Sequence, residues 1–118
     1  MTDNGSVEFL HQSITHVEVH PSIEVIKDKA FYCWSQLKTV IHGEGLKEIG
    51  KESFRECTSL HKITIPHAIR AIKDYAFYNC SQLAIANLGD EVEEIGEAAF
   101  LECISLYEIT IPPRRKGD

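Results

Sequence analysis

The sequence predicts an α/β repeat solenoid, in which coils of 23 residues place short parallel strands on one face and short helical turns on the other. Apolar residues recur at a spacing of 23, a second pattern recurs at 46, and short β-branched segments end at proline or glycine. A single coil of this length cannot cover its own apolar side. About three or more coils must therefore stack to bury a continuous core.

The 23-residue period is carried by four columns of apolar residues, with one member of each column in every repeat. The columns are Phe31, Phe54, Phe77 and Phe100; Leu37, Leu60, Leu83 and Leu106; Ile26, Ile49, Ile72 and Ile95; and Ile23, Leu46, Ile69 and Val92. A half repeat precedes them, since residues 13–17 match residues 59–63 in register. The sequence therefore predicts a flexible N-terminal segment at 1–9, a repeat domain of four and a half repeats at 10–112, and a basic tail at 113–118.

Alternate repeats share further residues, which gives the second period of 46. Repeats one and three share Ile-Lys-Asp-x-Ala-Phe-Tyr-x-x-Ser-Gln-Leu, beginning at Ile26 and Ile72. Repeats two and four share Glu-Ile-Gly, beginning at Glu48 and Glu94. The chain is therefore interpreted as a duplicated unit of two repeats.

Within one repeat, the segment Ile63-x-Ile65 alternates apolar and polar residues and stops at Pro66, which predicts a short strand. A second extended segment ends at Ile72. The following residues 73–80 place Ala76, Phe77 and Cys80 on one apolar stripe, which predicts about two turns of helix.

The pattern Ile-Gly-x-x-Ala-Phe-x-x-Cys-x-x-Leu-x-x-Ile-x-Ile-Pro, from Ile95 to Pro112, resembles the BspA-like class of leucine-rich repeats. The resemblance covers about nine-tenths of the chain. It implies a right-handed leucine-rich-repeat superhelix with a parallel sheet on one side, and a role in binding other proteins or surfaces. Two residues depart from the pattern: Trp34 replaces a cysteine, and Ala86 replaces a larger strand residue.

Composition and charge exclude several functional classes. The net charge of −6 repels phosphate groups, so neither nucleic acid nor an anionic membrane is the expected partner. No apolar run approaches the roughly 18 residues of a membrane helix, and Met1–Ser6 lacks the features of a signal peptide. These observations predict a cytoplasmic location.

Cysteine and histidine are the residue types here that could act as metal ligands or nucleophiles. Cys57, Cys80 and Cys103 share one column, so a disulfide or a thiolate metal site is geometrically conceivable, but the column lies beside Phe and Leu and favours buried free thiols. Cys33, which lies outside the column, is predicted to be the reactive thiol. The histidines fall in different columns and are interpreted as solvated: His11, His16, His20, His42, His61 and His67. With no nucleophile, base and orienting group converging, the sequence predicts no catalytic residue, no cofactor and no metal site.

The outward side of the strands is the candidate binding surface. If Val17, Val40, Ile63, Ala86 and Ile109 face the core, then their neighbours line the open face of the sheet. These neighbours are His16, Glu18, Thr39, Ile41, Lys62, Thr64, Ile85, Asn87, Glu108 and Thr110. Because Ile41 and Ile85 are apolar on a solvated face, they are interpreted either as part of a binding patch or as ordinary exposed residues.

The predicted function is therefore a non-enzymatic scaffold that presents its strand face to a protein partner. The alternatives are a structural unit that associates end to end with other copies and a fragment of a larger surface adhesin. Seven acids and no bases lie between Ala86 and Ile109, and Arg114, Arg115 and Lys116 follow. This charge pattern predicts electrostatic attraction of a cationic partner to the last repeat.

Overall fold

The computed structural model describes residues 13–110, which form about four stacked coils of short strands joined by turns. All strand pairs in this range are parallel, and paired residues lie 23 positions apart. The strands are β1 (His16–Glu18), β2 (Val25–Ile26), β3 (Thr39–Ile41), β4 (Glu48–Ile49), β5 (Lys62–Thr64), β6 (Ala71–Ile72), β7 (Ile85–Asn87), β8 (Glu94–Ile95) and β9 (Glu108–Thr110). The predicted N-terminal segment and basic tail lie outside the described residues.

Two ladders of strands run along the stack. The two-residue strands form a continuous ladder in the order β2-β4-β6-β8, whereas the three-residue strands form two sheets, β1-β3 and β5-β7-β9. We call the interruption between β3 and β5 the seam. The predicted parallel-strand solenoid with 23-residue coils is confirmed, and its right-handed sense stays a prediction.

The helical turns that the apolar stripe predicted are wrong: the part of the chain that the structure describes contains no helix. Residues 73–80 form consecutive turns, in which Tyr75 and Asn79 have φ of 59°. Every second amide closes a turn within the segment, as where Ala76 N donates to the Lys73 carbonyl. The amides between them donate to the next coil, as where Phe77 N donates to the Ala99 carbonyl at 2.8 Å. A helix would direct every amide along its own axis and forgo these bonds between coils.

The turn segments still bury the residues that the stripe identified. Ala76, Phe77 and Cys80 are fully buried. The Phe column forms a continuous stack, with ring centroids 5.2 Å apart at each of its three steps and interplanar angles of 16°, 2° and 7°. The core therefore runs along the stack as columns of like residues, and each coil covers the next.

The 46-residue period has a structural basis at the start of the turn segment. The carboxylate Oδ1 of Asp28 accepts a hydrogen bond from Lys51 N at 2.9 Å, and that of Asp74 accepts one from Glu97 N at 2.8 Å. Glycine precedes each residue that donates this bond, because a Cβ at Gly50 or Gly96 would collide with the aspartate of the coil before. An aspartate in one coil thus requires a glycine in the next, which makes two coils the repeating unit.

The Phe column predicts a graded loss of stability. Phe77→Ala is expected to lower the free energy of unfolding by about 3–5 kcal/mol, because it leaves a cavity between two stacked rings. Phe31→Ala is expected to cost less, since Phe31 is only half-buried. Chemical denaturation measures both, with Lys38→Ala at an exposed position as the control; equal losses for Phe77→Ala and Lys38→Ala would contradict the buried column.

Candidate functional site

The strand face is the outward side of the three-residue strands. The residues predicted to face the core from these strands are buried in the middle of the stack, where Val40, Ile63 and Ala86 are at most 7% exposed. Their neighbours point to the other side, as strand pleating requires. His16, Glu18, Thr39, Ile41, Lys62, Thr64 and Glu108 are exposed, and Ile85 and Asn87 are partly exposed. Thr110 pairs with Asn87 through the backbone.

The register arranges these residues in two rows across each sheet. In β1-β3, His16 lies beside Thr39 and Glu18 beside Ile41. In β5-β7-β9 the two rows are Lys62, Ile85 and Glu108, and Thr64, Asn87 and Thr110. That these residues bind a partner stays a prediction.

The two outward isoleucines do not form one patch. Ile41 is 51% exposed on β3, and Ile85 is partly buried on β7. They lie in different rows, and β5 and the seam lie between them. Ile41 therefore offers the larger apolar contact, at the edge of the seam.

The seven acids of the last repeat are distributed around the coil. Glu108 lies on the strand face, whereas Glu97 and Glu102 lie on the turn segment. Glu94, on β8, forms an ion pair with Lys73 at 3.3 Å. The negative field therefore surrounds the last coil and is not confined to the strand face.

A second surface feature, on the turn side, was not predicted from the sequence. The Arg55 guanidinium lies 4.6 Å from the ring centroid of Tyr78 and 5.4 Å from that of Tyr75. The same guanidinium pairs with Glu52 at 2.6 Å. Tyr32, Arg55 and Tyr78 stand 23 apart, so the sequence contains this column, but its members are aromatic and basic and the apolar period does not mark them.

All four cysteines are free thiols. Cys57 and Cys80 are buried and Cys103 partly buried, and each Sγ donates a hydrogen bond to the carbonyl of a Phe 26 residues before it, at 3.1–3.2 Å. Burial raises the pKa of Cys57 to about 12 and that of Cys103 to about 11, and raises the pKa of Cys80 well above its usual value. Cys33 is exposed, in a turn, with φ of 62°.

The interpretation of the histidines as solvated is wrong for His42. His42 is largely buried, and neither ring nitrogen has a hydrogen-bond partner. The ring meets Phe54 edge-on at 6.3 Å, and burial lowers the pKa of His42 to about 4. The signal is present in the sequence, because His42 stands in register with the apolar residues Val19, Ile65 and Leu88.

Among residues 13–110, one group of side chains could supply ligands to a metal ion. The group lies on equivalent turns of two neighbouring coils and consists of His67, Asp90 and Glu91. Each residue offers one ligand atom, and the three atoms lie within 4.8 Å of one another. His67 Nδ1 lies 3.0 Å from Asp90 Oδ1, and both side chains are about two-thirds exposed. An exposed pair of this kind contributes little stability and is sufficiently explained as a contact between the two turns.

Three comparisons with known proteins bear on this architecture. A family model described as "BspA type Leucine rich repeat region" matches residues 3–116 in six copies. A leucine-rich repeat protein from Bacteroides ovatus has a TM-score of 0.80 and 31% identity over 83% of this chain and 25% of its own. No curated protein matches the chain.

Two further solved structures are similar. A leucine-rich cell surface protein from Faecalibacterium prausnitzii has a TM-score of 0.71 and 26% identity over 88% of this chain and 31% of its own. A leucine-rich repeat protein from T. pallidum has a TM-score of 0.66 and 26% identity over 82% of this chain and 58% of its own. The chain therefore spans from a quarter to somewhat over half of the length of these proteins. Residues 13–110 contain no helix long and apolar enough to cross a membrane.

The thiols are expected to react in two classes. At pH 8 under native conditions, DTNB should label Cys33 rapidly, because it is exposed. Cys57, Cys80 and Cys103 should stay unlabelled until the chain unfolds, since their raised pKa values keep them protonated and burial shields them. Peptide mapping of the labelled protein identifies the sites, and rapid labelling of all four would contradict the assignment.

Proposed function

Since this chain belongs to the BspA type leucine-rich repeat family, we propose that it is a non-enzymatic scaffold whose strand face binds a protein partner. The observation that carries the proposal is the rigid double row of outward side chains, which neighbouring strands hold in fixed register. A preformed surface of this kind loses little conformational entropy on binding. The fold alone would not decide the function, because one repeat fold serves many ligands.

The chemistry of the strand face favours a protein partner over a nucleic acid. Polar and charged side chains surround the single well-exposed isoleucine, which is the arrangement of an apolar anchor within a polar rim. Lys62 is the one basic residue in the two rows of β5-β7-β9, while Glu108 is acidic. The face therefore lacks the basic stripe that phosphate recognition needs.

The second candidate function is association of copies end to end. In the last described coil, Leu101, Ile104 and Tyr107 are 53%, 78% and 76% exposed. In the coil before, the residues at the same positions are Tyr78, Ser81 and Ala84, and they are partly or fully buried where the last coil covers them. Another copy or a further repeat would cover the last coil in the same way. A role as part of a surface adhesin is the other alternative, since one of the similar structures is described as a cell surface protein.

Capture of a partner with matched variants tests the proposal. The immobilised chain is incubated with an extract of the cells that make it, alongside Ile41→Ser with Lys62→Glu on the strand face and Tyr32→Ser with Tyr78→Ser on the turn side. Specific capture should be lost with the strand-face variant and kept with the turn-side variant. The reverse result would place binding on the Arg55 cluster, which is the turn-side group of Arg55, Tyr75 and Tyr78. Light scattering across concentration would reveal end-to-end association.

Association and dissociation of the captured partner should respond to different substitutions. Glu93→Lys with Glu97→Lys should slow association and weaken its salt dependence, because the acids of the last coil attract a cationic partner. Ile41→Ser with Ile85→Ser should speed dissociation about fivefold to tenfold and leave association nearly unchanged. Surface plasmon resonance at two salt concentrations measures both. An association rate that changes neither with salt concentration nor with the Glu substitutions would exclude electrostatic steering by the last coil.

A further inference from the structure

We propose that His42 is an acid-sensitive latch on the strand face: its protonation opens the seam between β3 and β5 and leaves the rest of the stack closed. The inference rests on the proposed function, since it regulates the surface assigned to partner binding. The opening itself requires no partner.

His42 takes the place of an aliphatic residue in a core column. Ile65 and Leu88, the members of this column in the next two coils, are 4% and 7% exposed. A neutral imidazole carries one donor and one acceptor, and in His42 both nitrogens are buried without a partner. Protonation would turn both nitrogens into donors and add a charge at a place that supplies no acceptor, which disfavours the closed structure.

The ladder is already interrupted where this charge would arise. β3 and β5 belong to separate sheets, although equivalent strands pair in the first and in the later coils. A crevice of about 290 Å³ lies at the seam, and it is lined by Val40, Ile41, His42, Glu44, Thr64 and Pro66. Because β3 and β5 do not pair with each other, opening here requires only that these two edge strands loosen from their own sheets, which exposes their amides and gives the imidazole access to water.

The charged groups on the surrounding elements do not compensate the charge. Glu44 lines the crevice with His42, and burial is the cause of the lowered pKa of His42. On β1, His16 and Glu18 point outward and contact each other at 3.3 Å. Lys62 on β5 points outward, and Arg55, on the turn that carries Phe54, pairs with Glu52. None of these groups forms a hydrogen bond with the His42 ring.

The other sides of the same two coils are held together. β2 pairs with β4 through Val25 with Glu48 and Ile26 with Ile49. On the turn side, Phe31 N donates to the Ser53 carbonyl at 2.7 Å, and the Phe31 ring stacks on Phe54. These contacts confine the opening to the strand face.

The direction of the pH dependence follows from the pKa of His42. The closed form has a pKa of about 4, below the ordinary 6.5, so the open form takes up the proton more readily. The opening equilibrium is therefore constant above about pH 6.5 and rises as the pH falls from 6.5 towards 4. With these two values it is about 30-fold larger at pH 5 than at pH 8.

Hydrogen exchange followed by mass spectrometry tests the latch. Protection factors, which remove the intrinsic pH dependence of exchange, are compared at pH 8 and pH 5 for peptides covering residues 37–46 and 60–69 and for a reference peptide covering 71–95. The variant is His42→Leu, which restores the aliphatic column, with His42→Ile as a second choice. His61→Leu is the matched control, since it makes the same change at an exposed histidine.

In the wild type and in His61→Leu, we expect protection of the two seam peptides to fall about 30-fold at pH 5 while the reference peptide keeps its protection. His42→Leu should abolish this fall. A fall that survives in His42→Leu, a fall of equal size in all three peptides, or no fall in the wild type would overturn the proposal.

An NMR titration of the wild-type imidazoles tests the latch even if neither of the two His42 variants folds. His42 should titrate near 4, together with the amides of β3 and β5, and a His42 that titrates near 6.5 would overturn the proposal. No partner is present in either experiment. A negative result in these two experiments therefore does not test partner binding. Failure of partner capture, in turn, does not affect the exchange result.

Discussion

The stacking of one coil on the next is the interaction on which the rest of the structure depends. A single coil has no interior of its own, and its apolar side is covered by the neighbouring coils, which pair with it 23 positions away. The Phe rings, at 5.2 Å, and the backbone bonds of both strand ladders and of the turn segments repeat at this one step. Since every coil meets the same requirement, the same residue type recurs in the same column.

This constraint explains which parts of the fold were predictable. The Phe, Leu and Ile columns could be identified because each member meets a like residue above and below it, so the sequence period equals the structural period. The inward assignment of Ala76, Phe77 and Cys80 was also correct. The helix was wrong because consecutive turns with left-handed residues at Tyr75 and Asn79 present the same inward stripe. A residue pattern alone does not distinguish the two, since the difference lies in where alternate amides bond.

The candidate site was predictable to a similar degree. Strand alternation gave the outward residues, but it could not reveal that the ladder stops between β3 and β5, because the columns continue unbroken through the seam. For this reason Ile41 and Ile85, which share an apolar character in the sequence, are separated in space. The Arg55 cluster was missed for a related reason, since its contacts join charged and aromatic residues that no apolar pattern connects.

Residues that conform to the columns form the stack in every array of this repeat. What distinguishes this array from another is therefore the set of residues that depart from the columns. On the outside such departures cost little, and Ile41 is one of many tolerated choices. In the core they are costly, because an imidazole without hydrogen-bond partners loses about 1–3 kcal/mol relative to a satisfied group. His42 is such a departure, and it lies at the one interruption of the strand face among the described residues. Two defects that each weaken the stack therefore coincide between the same pair of coils, while the opposite ladder and the ring stack continue past them. A weak point on one side of an otherwise continuous stack is the arrangement that permits local opening without loss of the fold.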